Sequence, residues 1–142
     1  MRTIAGFALL CFAFTAAAQD AANAALGKWK TYDEETGKAM SITEVYRTRT
    51  GAIAAKVVET LNKPNALCDK CTGDRHGKPI TGMVVFLGRP QENGALSGTG
   101  FKPSTGMTFK VKRVRLVDDG DKLEITGCKL VFCRTAMWER VR

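Results

Sequence analysis

Residues 107–128 read MTFKVKRVRLVDDGDKLEITGC, and the fold turns on how apolar and charged side chains alternate along them. Leu123 and Ile125 share one face while Lys122, Glu124 and Thr126 take the other, the period of a half-buried strand. Upstream, Phe109 and Val111 fall together, with Lys110 and Lys112 opposite. Val114 and Leu116 are apolar as well, but their parity has slipped by one. A β-bulge near Lys112-Arg113 accounts for the slip. Between the two runs stands Asp118-Asp119-Gly120-Asp121, and an Asp-Gly pair tolerates the positive φ of a tight hairpin. The stretch is predicted to be a β-hairpin with one buried face.

The same pattern recurs on both sides. Strands are predicted near 28–32, 41–47, 52–61, 80–87, 95–102, 107–117, 122–128 and 134–142, with turn clusters between them at Glu34-Glu35-Thr36-Gly37, Arg49-Thr50-Gly51, Gln91-Glu92-Asn93-Gly94 and Ser104-Thr105-Gly106. No stretch after Leu26 holds a helical period, so the class is all-β. About eight strands joined by short turns form an up-and-down antiparallel meander, and such a sheet removes its edges by closing into a small barrel. Met83-Val84-Val85-Phe86-Leu87 is apolar at every position, which predicts a strand covered on both faces. The one long irregular segment, 62–79, carries a Cys-x-x-Cys and the only histidine, His76. A segment of that length is usually functional or tied down, and its cysteines can tie it.

The start of the chain has the parts of a secretory signal: Arg2, an uncharged apolar run of eleven residues from Ile4 to Phe14, and small residues at Ala16-Ala17-Ala18. Even counted through Ala18, the run falls short of the ~20 residues that span a bilayer. A lipoprotein cut at Cys11 is the alternative, but Leu10 stands where a small residue is expected. We therefore read 1–18 as a signal peptide and 19–142 as a single domain, periplasmic or secreted, with no transmembrane segment after cleavage. Residues 19–26 are alanine-rich and read as a frayed leader or a short helical turn. Loss of Arg2 takes the formal charge from +8 to +7, a balance that suits solubility and also contact with anionic surfaces.

Four cysteines remain after cleavage: Cys68, Cys71, Cys128 and Cys133. An even number in an exported chain points to disulfides, and an oxidising compartment disfavours the competing four-cysteine zinc site. Local pairing, Cys68 with Cys71 and Cys128 with Cys133, lets each pair meet without long-range help. Crossed pairing would close longer loops and stabilise more, ~4 against ~2 kcal/mol per bridge by chain entropy. It would also require the long loop to dock on the last hairpin, which the sequence does not show, so local pairing is expected. A redox role for Cys68-Asp69-Lys70-Cys71 is disfavoured, because such motifs open a helix after a strand and this one lies in a loop.

An ordered series of short motifs resembles the bacterial domain-of-unknown-function 2147 family. It runs Gly27-Lys28-Trp29, Asp33 to Lys38, Ser41-Ile42, the Cys68/Cys71 loop into Gly77-Lys78-Pro79-Ile80-x-Gly82, Lys102-Pro103-x-x-Gly106, Leu123-x-Ile125-x-Gly127-Cys128, and Cys133-Arg134 through Trp138, Arg140 and Val141. The resemblance implies an exported protein with a lipocalin-like barrel. It departs from the family pattern between Leu87 and Gly100, where no Trp or Tyr stands beside the turn. It also implies that Arg140 on the last strand stacks over Trp29 on the first, a structural closure of one barrel end.

Function follows less directly. His76 has no partner set, and nothing brings Ser97, Ser104 or Asp74 to it, so no catalytic residue is assigned and the chain is read as a non-enzyme. No cofactor and no metal is expected. Lys110, Lys112, Arg113 and Arg115 form a basic run that solvates a strand or faces anions; without interleaved aromatics it does not suit single-stranded nucleic acid, and no specific nucleic-acid partner is expected. The chain is read first as a barrel that binds a small hydrophobic or amphipathic ligand, with a filled-barrel structural or interaction module of the envelope as the alternative. Ala52, Ala54 and Ala55 would leave room for a ligand, whereas Phe86, Phe101 and Phe109 would fill the space and leave an envelope interaction module. The exported protein is expected to begin at Gln19. Edman sequencing of the secreted form checks this, and a start at Met1 or a lipid on Cys11 would refute it.

Overall fold

Alternation of apolar and polar side chains makes most of the strands one-faced, and one-faced antiparallel strands in sequence order have a simple way to bury that face. The computed structural model, which describes residues 20–142, shows that solution. Strands β1 (Gly27–Tyr32), β2 (Ala39–Arg47), β3 (Ile53–Thr60), β4 (Val84–Pro90), β5 (Leu96–Lys102), β6 (Met107–Val117), β7 (Lys122–Lys129) and β8 (Phe132–Arg140) form a closed barrel, each pairing with its neighbours in the chain. All pairings are antiparallel, β8 returning to β1. The bulge expected in β6 is present, as a register shift against β7 between Val111 and Arg113. The signal region and the cleavage site ahead of Gln19 lie outside the described residues.

Residues 20–24 are helical. Ala22 and Ala25 are almost fully buried and pack with Trp29, Leu96, Val114 and Leu123, so the alanine-rich leader closes the barrel end at which β1 begins. Small side chains let it approach the strands closely. At the opposite end the loop between β3 and β4 folds over the barrel. Its Cys68 and Cys71 are buried against Phe101, with Ile80 and Met83 beside them.

The bounds expected for β4 are corrected. The strand runs Val84–Pro90 rather than 80–87. Gly82 takes a positive φ of 89°, and the Ile80 amide bonds the Ala66 carbonyl at 2.9 Å, so 80–83 belongs to the loop and Ile80 to the cluster around the cysteines. Pro90 can end the strand because a missing N–H costs little there. Among the described residues its outer face is uncovered: Phe86 and Gly88 point inward, whereas Val84 is 37% and Leu87 52% exposed. In the last hairpin Lys129 pairs with Phe132, only Leu130-Val131 lie between them, and Cys128 stands opposite Cys133.

A single row of cross-strand partners crosses the interior: Val45, Ala55, Phe86, Gly100 and Phe109. The Phe109 ring lies over glycines of both neighbouring strands. A Cβ on Gly100 would stand 2.5 Å from that ring, and one on Gly127 2.7 Å. The two glycines thus make the space that one large side chain occupies. Gly100→Ala or Gly127→Ala should displace the ring and cost about 1–3 kcal/mol, the usual penalty for overpacking. Urea unfolding of Gly100→Ala, Phe109→Ala and the double variant checks it. The two changes should be strongly non-additive, because the second removes the clash made by the first.

Candidate functional site

The first candidate group is the seam between the first and last strands. β1 meets β8 through two partner pairs only, Trp29 with Arg140 and Lys30 with Glu139. Side chains supply what the ladder lacks. Trp29 is fully buried, and its indole N–H donates to the Ala25 carbonyl at 2.9 Å. The Arg140 guanidinium lies 4.2 Å above the Trp29 ring. Its Nε donates to Gly120 O at 2.8 Å, one terminal nitrogen to Ala24 O at 2.8 Å and the other to Leu26 O at 3.3 Å. One cation therefore joins the end of the helix, the β6–β7 turn and the face of an indole. Gly27, at a φ of 124°, lets the chain pass beneath this guanidinium. Beside it Tyr32 donates its phenolic hydrogen to Glu139 at 2.5 Å. That bond, then burial, then the carboxylate's charge hold the phenol above its ordinary pKa.

The second group is the basic run on β6. Lys110, Lys112, Arg113 and Arg115 are all exposed, the bulge keeping 112 and 113 outward together. They do not form a uniform cationic face. Glu124 on β7 sits opposite and takes up both arginines, Arg115 at 2.7 Å and Arg113 at 3.6 Å. The Arg115 bond is the largest influence on Glu124 and holds its carboxyl below the usual value, against a smaller opposing effect of burial. Among the described residues no carboxylate pairs with Lys110 or Lys112.

The cysteines form two disulfides, Cys68–Cys71 and Cys128–Cys133. The long loop docks on the β5–β6 turn rather than on the last hairpin: Cys68 Sγ lies 3.5 Å from the Pro103 carbonyl oxygen, and a Cβ on Gly106 would run into the Lys70 carbonyl. Arg75 stacks on Phe101 at 4.2 Å, and His76 Nδ1 bonds the Cys71 carbonyl at 2.9 Å, a contact that holds the loop. Among the described residues no hydrogen bond joins His76 to Asp74, Ser97 or Ser104, and no three His, Cys, Asp or Glu side chains gather as metal ligands.

Two depressions lie at the end that carries the helix. One of about 610 Å³ is open to solvent and is lined by Thr48, Thr50, Ala52, Leu87, Arg89 and Ser97 with the backbone of Gly88 and Gly98. Another of about 370 Å³ lies between Ala22 and Ala25 of the helical segment and Leu96, Val114, Leu116 and Leu123 of the barrel. Of the three alanines expected to line a lumen, Ala55 lies in the core cluster and Ala52 borders the first depression.

Sequence reasoning missed the tip of the last hairpin. Leu130, Val131 and Phe132 are 90%, 85% and 76% exposed, and Leu130 has a φ of 55°. The signal was legible, since Leu130 and Val131 stand where a two-residue turn ordinarily carries Asn or Gly, and a third large apolar residue, Phe132, follows them. For the seam, Arg140→Lys should lose about 2 kcal/mol, because an ammonium can neither stack on the indole nor reach three carbonyls. Thermal unfolding of Arg140→Lys beside Arg142→Lys, which leaves the stack intact, checks this.

Neither a curated protein nor a solved structure matches the chain. A family model described as an uncharacterized protein conserved in bacteria (DUF2147) matches residues 27–140. That span begins at the first residue of β1 and ends at Arg140, so it takes in the whole barrel and both sides of its seam. By that match over all eight strands, the chain belongs to the DUF2147 family.

Proposed function

We propose that the protein is an exported, non-enzymatic interaction module of the bacterial envelope, a filled barrel that works through its outer surface. The observation that carries this reading is Phe109, whose ring occupies the space left by Gly100 and Gly127. Phe86, Val111 and Leu123 are buried around the same core. A barrel of eight strands has an interior just wide enough for its own side chains or for one small ligand, and here the side chains are large. Export is supported by the charged, apolar and small-residue order of 1–18 and by two disulfides, which persist in oxidising compartments.

A second reading, a carrier of a small amphipathic molecule, draws on the open depression of about 610 Å³ between the β2–β3 turn and strands β4 and β5. Its lining mixes Ala52 and the exposed Leu87 with threonine, Arg89, Ser97 and backbone, a combination that suits an amphipathic ligand. Native mass spectrometry of protein taken from its own envelope separates the two. The filled barrel should fly at the mass of the processed chain alone, and Phe109→Ala should gain binding of an apolar dye by opening a cavity. A retained small molecule on the unmodified protein would overturn the proposal in favour of the carrier.

A further inference from the structure

The β7–β8 hairpin ends in a convex tip that no other part of the described chain covers. Leu130, Val131 and Phe132 are the three most exposed large apolar side chains of the described residues. A turn of two residues is cheapest with Asn, Asp or Gly, yet here Leu130 itself takes the left-handed φ of 55°. A β-strand tip that accepts both backbone strain and apolar exposure calls for an occupant.

The surroundings of the tip describe that occupant. Cys128 and Cys133 are direct cross-strand partners and are bonded, which clamps the hairpin immediately behind the tip. Lys129 leads into the turn, its ammonium 3.4 Å from Met107 Sδ on β6, so its stem lies along another exposed apolar side chain. Lys110 pairs with Cys128 across the β6–β7 ladder, and Lys112 follows it in the bulge. Among the described residues Lys110, Lys112 and Lys129 have no carboxylate partner, and Arg134 has only Glu34, at 3.8 Å and shared with Lys102. Apolar side chains thus project from a rigid apex, and unpaired lysines stand behind them.

A protein partner fits this poorly, because three side chains on a convex apex are far from the ~1,000 Å² that a specific interface buries. A bilayer surface fits well. Its acyl boundary accepts a protruding apolar wedge, and anionic headgroups accept the cations behind it. The hairpin is already held by its disulfide, so little ordering cost is added on insertion. We propose that the Leu130-Val131-Phe132 tip inserts into the interfacial layer of an anionic membrane, with Lys110, Lys112 and Lys129 on the headgroups. This deepens the proposed function by naming the partner surface, and it rests on that reading only for placing the protein beside a bilayer. A ligand found in the barrel would end that reading and leave this one standing.

The test is co-sedimentation of the processed protein with vesicles of phosphatidylcholine, with and without phosphatidylglycerol. Binding should need the anionic lipid and weaken with added salt. Replacing Leu130, Val131 and Phe132 together by Ser should weaken partitioning at least about tenfold while unfolding temperature holds, since the side chains are exposed in the folded state. Each of Lys110→Gln, Lys112→Gln and Lys129→Gln should weaken it by about fivefold. As a second readout, Phe132→Trp should shift its emission to the blue on anionic vesicles only. Binding unchanged by the serine variant, no binding by the parent protein, or no emission shift would each overturn the proposal. So would a dimer in sedimentation velocity that the serine variant dissolves, which would give the tip to a second copy of the chain.

Discussion

The barrel depends on one arginine at its seam. Seven of the eight strand junctions are made by consecutive hairpins or by the single long loop, and the chain itself brings those partners together. The eighth, between β1 and β8, has two partner pairs, against eight between β7 and β8. A ladder that short closes nothing by itself, because each backbone bond contributes only about 1 kcal/mol net. Arg140 makes up the difference by stacking on Trp29 and donating to carbonyls of the helix and the β6–β7 turn. These partners are carbonyls rather than carboxylates, so the contact draws on the cation's charge without an ion pair that salt would weaken.

Filling follows from where the glycines fall. Gly100 and Gly127 sit on the strands either side of β6, and both lie under the ring of Phe109. Replacing either by a larger residue leaves no place for the ring. Gly88 and Gly98 face each other on β4 and β5, where the two backbones come too close for any Cβ. Narrow approach on one side and a large ring on the other give a packed interior, and they leave the depressions at the end near the helix rather than in the middle.

Much of this was legible in the sequence, for a reason that also sets the limit. Period-two alternation is a property of neighbours along the chain, so Leu123 with Ile125, and the parity slip between Val111 and Val114, could be read directly. Sequence order then dictated the barrel, since short turns leave antiparallel strands few choices. Three features depend on distant residues instead. The apolar run 83–87 reads as covered on both sides, but whether Leu87 meets protein or solvent is decided by what lies outside the barrel, and among the described residues none covers it. The alanines at 22 and 25 carry no periodic signal in so short a segment, and their burial depends on the barrel end beneath them. Leu130-Val131-Phe132 lies between the predicted strands 122–128 and 134–142, and what its apolar side chains meet depends on surfaces distant in the chain or outside it.

The seam also has a consequence for how the chain reaches its structure. Arg140 and the carbonyls it binds in 24–26 are separated by 114 and 116 residues, the longest-range hydrogen bonds of the described chain. Hairpins of neighbouring strands can form early, because their loops are short and cheap to close, whereas contacts of this range form late. Until then β1 and β8 are open edges, each able to pair with a strand of another molecule. Lys28 and Lys30 on β1, and Arg134 and Glu139 on β8, place charges along both edges. The same side chains that decorate the closed barrel therefore guard the half-assembled sheet against joining its neighbours.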